Sequence, residues 1–126
     1  TNLGNWFLPE GYMWLFDGGP QAPREIRDLV TELIGPDKAE AFWRQYRENY
    51  VTAADIHLIH EAGLNTIRVP LDYKFFETDP SEGFTLLDHV VKWSHDEGLY
   101  VIFDMHAAPG HQNGANLDDG YGYPWL

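Results

Sequence analysis

Short apolar runs alternate with longer amphipathic stretches along this chain. Two of the runs, residues 64–70 and 99–103, are rich in β-branched and aromatic side chains. Continuous runs of this kind predict strands buried on both faces, the habit of parallel sheets. Residues 2–7 predict a further short strand, broken by Pro9 and Gly11. Between them the period lengthens. Pro23 suits the first position of a helix and Glu25 its first turn, with Ile26, Leu29, Val30 and Leu33 as the apolar stripe before Gly35 and Pro36. A second helix is expected over 37–49, carrying Phe42, Trp43, Tyr46 and Tyr50 on one side as packing. Thr52 and Asp55 form a capping box for a third, whose face is Ile56, Ile59 and Ala62 and whose end is Gly63. Asp72 to Phe76 reads as a loop closed by Asp79, Pro80 and Gly83. The last helix is then capped by Thr85 with Asp88 and turns Leu87, Val90, Val91 and Ser94 inward before Gly98.

The order strand, helices, strand, helix, strand predicts two right-handed βαβ units sharing a strand, hence a parallel sheet. Three parallel strands leave two unprotected edges, a poor independent unit. Residues 1–126 are therefore expected to be one partial domain of a larger α/β protein, incomplete at both ends. The apolar stretch Tyr121 to Leu126, with nothing after it to bury it, points the same way.

Composition narrows the functions. Twenty acidic against eight basic residues give a formal charge of −12, which argues against nucleic acid and anionic membrane as partners. There is no cysteine, so neither a disulfide framework nor thiolate chemistry is available. No apolar run is long enough to cross a bilayer. Aromatic residues make up 15% of the chain, and Trp and Tyr are also surfaces on which sugar rings stack.

Candidate chemistry gathers at strand ends. Glu10 follows the first strand, Arg68 closes the second and His106 the third, and C-terminal strand ends of one parallel sheet share one rim. Two readings stand: a functional site, or an ion pair between Glu10 and Arg68 beside a satisfied histidine. The polar loop after His106, with Gln112, Asn113, Asn116, Asp118 and Asp119, is the expected binding surface. Asp104 and His106, two apart on a strand, also allow a metal reading, that of a metal-dependent α/β hydrolase. A second ligand pair is missing, and His111 is the only nearby candidate. His57, His60, His89 and His95 read as helix residues with surface or packing roles. No phosphate-binding glycine loop is present, and Ser81 and Ser94 lack the context of a nucleophilic serine.

The segments NLGNWFLPEGYMW, NTIRVPLDY, LYVIFDMHAAPGHQNG and GYGYPWL together resemble the first three β/α units of a family 5 glycoside hydrolase, of the exo-β-1,3-glucanase type. In that group the first strand resembles Asn-Leu-Gly-Gly-Trp with a Glu four residues on, the second Arg-Ile-Pro with Gly-Tyr, the third His-Gly-Ala-Pro-Gly-Ser-Gln-Asn-Gly. This chain departs from it at Asn5 and Asp72, where the pattern has Gly, and at His111, where it has Ser.

The resemblance implies the N-terminal part of a (β/α)8 barrel, about three units of it, and retaining hydrolysis of a β-glucan or β-glucoside without metal or organic cofactor. It also implies a secreted or periplasmic setting. Arg68 takes the place of the arginine that orients the nucleophile, and His106 that of a histidine lining the sugar subsite. Glu10 matches an acid that hydrogen-bonds sugar hydroxyls, while Trp6, Tyr73 and Asn113 fall on motif positions on the substrate side. Retaining glycosidases need two carboxyls about 5–5.5 Å apart. The resemblance puts them at the ends of the fourth and seventh strands, and no glutamate follows Glu97. The remainder of the barrel, in the same or a second chain, is thus an expected partner, and the 126 residues alone are expected to be inactive. A non-catalytic carbohydrate-binding fragment is a further alternative.

Overall fold

Thr66, Ile67 and Val69 begin the strand β1 (Thr66–Asp72), which the rest of the chain is built around. The structure is a computed structural model and describes residues 1–110 together with Asp119. Before β1 come α1 (Pro23–Ile34), α2 (Pro36–Tyr50) and α3 (Ala53–Glu61). After it come α4 (Tyr73–Thr78), α5 (Pro80–Asp96) and the strand β2 (Tyr100–Ala107). β1 and β2 pair in parallel, Thr66 opposite Tyr100 and Pro70 opposite Asp104. Pro70 has no N–H to give the ladder, and the register slips between it and Asp72.

On its other side β1 meets the start of the chain. Leu3 N–H donates to Arg68 O at 2.8 Å and Arg68 N–H to Thr1 O at 2.8 Å, forming one parallel bridge, Asn2 to Arg68. The strand expected over 2–7 goes no further. Asn5 takes a left-handed backbone, φ 66°, which turns the chain out of the sheet direction.

One sheet face supplies the core. Ile67, Val69 and Leu71 pack with Ile56 of α3, Leu86 and Val90 of α5, and with Trp6, Phe7 and Phe75. The helix starts follow local chemistry. Glu25 Oε2 accepts the N–H groups of Gln21 and Ala22 at α1, and Asp55 Oδ2 accepts Thr52 N–H at α3, the reciprocal half of the expected capping box.

Three expectations need correction. The stretch after Asp72 is helical, because the Asp72 carboxylate accepts Lys74 N–H and caps α4. α5 begins at Pro80, capped by Asp79 through Glu82 N–H, so Thr85 lies inside it and Val91 is exposed. β2 is not buried on both faces: Tyr100, Ile102, Phe103 and Met105 are all exposed, since only β1 pairs with it among the described residues. It also runs on to Ala107.

Candidate functional site

Alternation along a strand puts Arg68 and Pro70 on the face of β1 opposite the core residues Ile67 and Val69. Parallel pairing then brings Ile102, Asp104 and His106 of β2 to that same face. Arg68 is the hub. One guanidinium nitrogen donates to Asn2 Oδ1 at 3.0 Å. Nη2 donates to Asp104 Oδ2 and lies 3.2 Å from His106 Nδ1. His106 Nδ1 is itself 2.9 Å from Asp104 Oδ2. All three side chains remain about one-third open to solvent.

Glu10 reaches this face by another route. The chain arcs from Asn5 through Pro9, and Asn5 Oδ1 accepts Glu10 N–H at 2.9 Å. Gly11 N–H then donates to Gln21 O at 3.0 Å, and a Cβ at Gly11 would come within 2.0 Å of Pro20 O, so only glycine permits this approach. Glu10 ends 6% exposed. Burial raises its carboxyl above the ordinary glutamate range, while the charge of His106, a hydrogen bond with Tyr12 and the charge of Arg68 pull it back. The acid, the arginine and the histidine expected at one rim are thus electrostatic neighbours.

The other expected residues fall elsewhere. Trp6 is buried at 1%, stacked on Phe7, with Nε1 donating to Arg47 O at 2.7 Å. A residue committed in this way is core, which corrects its assignment to the substrate side. Tyr73 opens α4 and lines an apolar hollow of about 390 Å³ with Leu71, Phe76, Phe84 and Met105. Asn113 and His111 lie outside the described residues. Among the described residues no cluster of three or more His, Asp or Glu could hold a metal ion. The cation facing Asp104 and His106 is the Arg68 guanidinium.

The sequence did not disclose two features around the site. The first is an ion network on fully buried carboxylates. Asp119 accepts from Lys74 Nζ at 2.6 Å, Arg27 Nη2 at 3.2 Å and Arg24 N–H at 2.9 Å, and Arg27 also reaches Asp72 Oδ2 at 3.0 Å. It ties the start of α1 to the end of β1 and to Asp119. The second is Asn5 itself, whose left-handed backbone a motif glycine at that place could have signalled.

The family described as Cellulase (glycosyl hydrolase family 5) matches residues 28–122. The probable glucan 1,3-beta-glucosidase A of Neosartorya fischeri is 34% identical over 121 residues, covering 90% of this chain and 29% of that protein. The beta-xylosidase of Phanerodontia chrysosporium is 35% identical over 119 residues, covering 90% of this chain and 24% of that one. Among solved structures, the rutinosidase from Aspergillus niger superposes with a TM-score of 0.78 at 19% identity, over 99% of this chain and 37% of its own. The chain therefore spans less than a third of the length of these two relatives. Its fold is part of a (β/α)8 barrel, as expected.

Proposed function

The chain belongs to glycosyl hydrolase family 5, the cellulase family, and from that premise we propose that it supplies the sugar-binding and nucleophile-orienting part of a retaining β-glucan or β-glucoside hydrolase. The observation that carries the reading is the position of Arg68. One guanidinium nitrogen contacts both Asp104 and His106 on a face left partly open, with the buried Glu10 in the same field. A fixed cation of this kind keeps a neighbouring carboxylate ionised and aimed, the condition a nucleophile must meet in a retaining mechanism. Glu10 and His106 offer hydrogen-bonding groups to sugar hydroxyls, contacts that tighten as charge develops at the anomeric centre.

The acid/base and nucleophile glutamates lie outside these 126 residues, at strands that complete the barrel. Exposed apolar side chains on both faces of β2 (Tyr100 and Ile102, Phe103 and Met105) and its far edge, unpaired among the described residues, support that completion, because such a strand needs partners. The relatives named as glucan 1,3-beta-glucosidases favour a β-glucan as substrate.

The test is binding of a glucose-configured iminosugar to the complete barrel by calorimetry. Glu10→Ala and His106→Ala should each weaken it by about 1–3 kcal/mol, the value of a lost charged or buried hydrogen bond. Undiminished binding in both variants would leave these residues with a structural role only.

A further inference from the structure

Asn5 stands where the backbone favours glycine first and asparagine or aspartate next. Its φ of 66° lies where glycine is at ease and most side chains are strained. What Asn5 adds is an acceptor. Its side-chain oxygen takes Glu10 N–H at 2.9 Å and the Trp14 indole N–H at 2.7 Å. Both partners can only donate, so the amide orientation is fixed and both lone pairs of the oxygen are used. Asn5 is 6% exposed, so water is poorly placed to replace it.

The other end of Asn5 is held as firmly. The Tyr46 hydroxyl, on α2, donates to the Asn5 carbonyl. Glu10 O in turn accepts Met13 N–H at 3.0 Å, so the Glu10 backbone is gripped on both sides. The chain from Asn5 to Glu10 is thereby closed into a ring, anchored to α2 at one point and to the sheet through Leu3 at another.

We infer that Asn5 is a positioning residue for Glu10, setting through its side-chain oxygen where the Glu10 carboxylate meets a sugar. The inference rests on the proposed sugar-binding role of Glu10. It separates two functions of one residue. If Asn5 served only the left-handed turn, glycine would do as well or better. If its oxygen places Glu10, glycine loses function while aspartate, which tolerates the same backbone and keeps the acceptor, preserves it.

The experiment titrates the glucose-configured iminosugar into the complete barrel carrying Asn5→Gly, Asn5→Asp, Tyr46→Phe or Glu10→Ala, with a thermal melt of each. Asn5→Gly should weaken the iminosugar about fivefold, the equivalent of one buried hydrogen bond, and Asn5→Asp should restore most of that. Tyr46→Phe keeps the aromatic ring and removes the hydroxyl that anchors the Asn5 carbonyl and also meets Tyr50 and Trp14, so it should weaken binding in the same direction even if Asn5→Gly fails to fold. Native affinity in Asn5→Gly, or equal losses in the glycine and aspartate variants, would overturn the inference. Where Asn5→Gly does not fold, native affinity in Tyr46→Phe would do the same. If Glu10→Ala itself binds as well as native, the sugar-binding reading of Glu10 fails instead, and the two failures are told apart.

Discussion

Arg68 Nη2 lies 3.2 Å from His106 Nδ1 while donating to Asp104, so one guanidinium nitrogen serves the two polar side chains of β2 at once. Another nitrogen of the same plane holds Asn2 Oδ1 at 3.0 Å, which links the opening segment, β1 and β2 across one face. Three partners in fixed directions are what a planar fork can meet and a single ammonium cannot.

Arg68→Lys should therefore keep the charge and lose the arrangement. In the complete barrel, turnover should fall about 10- to 100-fold, the equivalent of one or two charge-assisted hydrogen bonds, with the Michaelis constant little changed. Steady-state kinetics on an aryl β-glucoside decide it. A variant in which only the Michaelis constant rises would show that Arg68 binds substrate rather than orients a reacting group.

Glu10 sets a pH dependence of stability whose sign is fixed by its burial. Its folded pKa is raised from the ordinary 4.5, so the unfolded chain gives up this proton more readily than the folded one. Stability conferred by the neutral carboxyl is present at low pH and is lost as pH rises through the folded value. Glu10→Gln, which keeps an acceptor for Tyr12 and removes the buried charge, should melt higher than native at pH 7. The difference should close below the ordinary glutamate value. A melting difference independent of pH would mean that burial does not control this carboxyl.

How far such features could be read from the chain depended on whether their cause was local. His106 was legible because strand ends are marked by apolar runs that stop. Arg68 instead stands third in β1 and shares its face through alternation and pairing, and Glu10 is brought near by the turn at Asn5. The α3 start was legible because Thr52 and Asp55 cap within one turn. Gly83 misled, since in a row with Asp79 and Pro80 it reads as a breaker. It lies within α5 because a Cβ there would come within 2.7 Å of the Phe76 ring, so its bare backbone admits that ring. The exposure of β2 and the Asp119 network were invisible for a different reason. Both depend on partners far along the chain, Asp119 meeting Arg24 across 95 residues, and no periodicity records that.

Asp119 and Asp72 carry a prediction about the fold. Both side chains are fully buried, and Arg24, Arg27 and Lys74, which neutralise them, are a quarter to a third exposed. Asp119→Asn keeps the shape but takes away the carboxylate that Arg24, Arg27 and Lys74 share, leaving the Arg27–Asp72 pair. It should destabilise by about 3 kcal/mol, as does breaking a buried pair from one side. Arg24→Ala, which removes a more exposed partner, should cost about 1 kcal/mol or less. Urea denaturation of the two variants tests the contrast, and equal small losses would make the network a surface feature.

The last prediction concerns the 126 residues by themselves, which should hydrolyse no glycoside. Each described carboxylate near the candidate site already has a fixed engagement. Asp104 is held by Arg68 and His106, and Glu10 is buried against Tyr12 in the field of both. Asp72 and Asp119 are enclosed by three cations and cannot face a sugar. A retaining mechanism needs one carboxyl to attack the anomeric carbon and another, about 5–5.5 Å away, to protonate the leaving oxygen. Asp104 is bound to the Arg68 guanidinium and Glu10 is buried beside Tyr12, so these two do not form such a pair. The exposed apolar edge of β2 should also drive the isolated chain to associate. Purified chain is to be assayed on laminarin, cellulose and aryl β-glucosides, and its size measured by light scattering. Activity is expected only after the remaining strands are supplied, covalently or as a second piece. A monomer that turns over any of these substrates repeatedly would refute both the assignment of the catalytic pair to other strands and the need for a partner along β2.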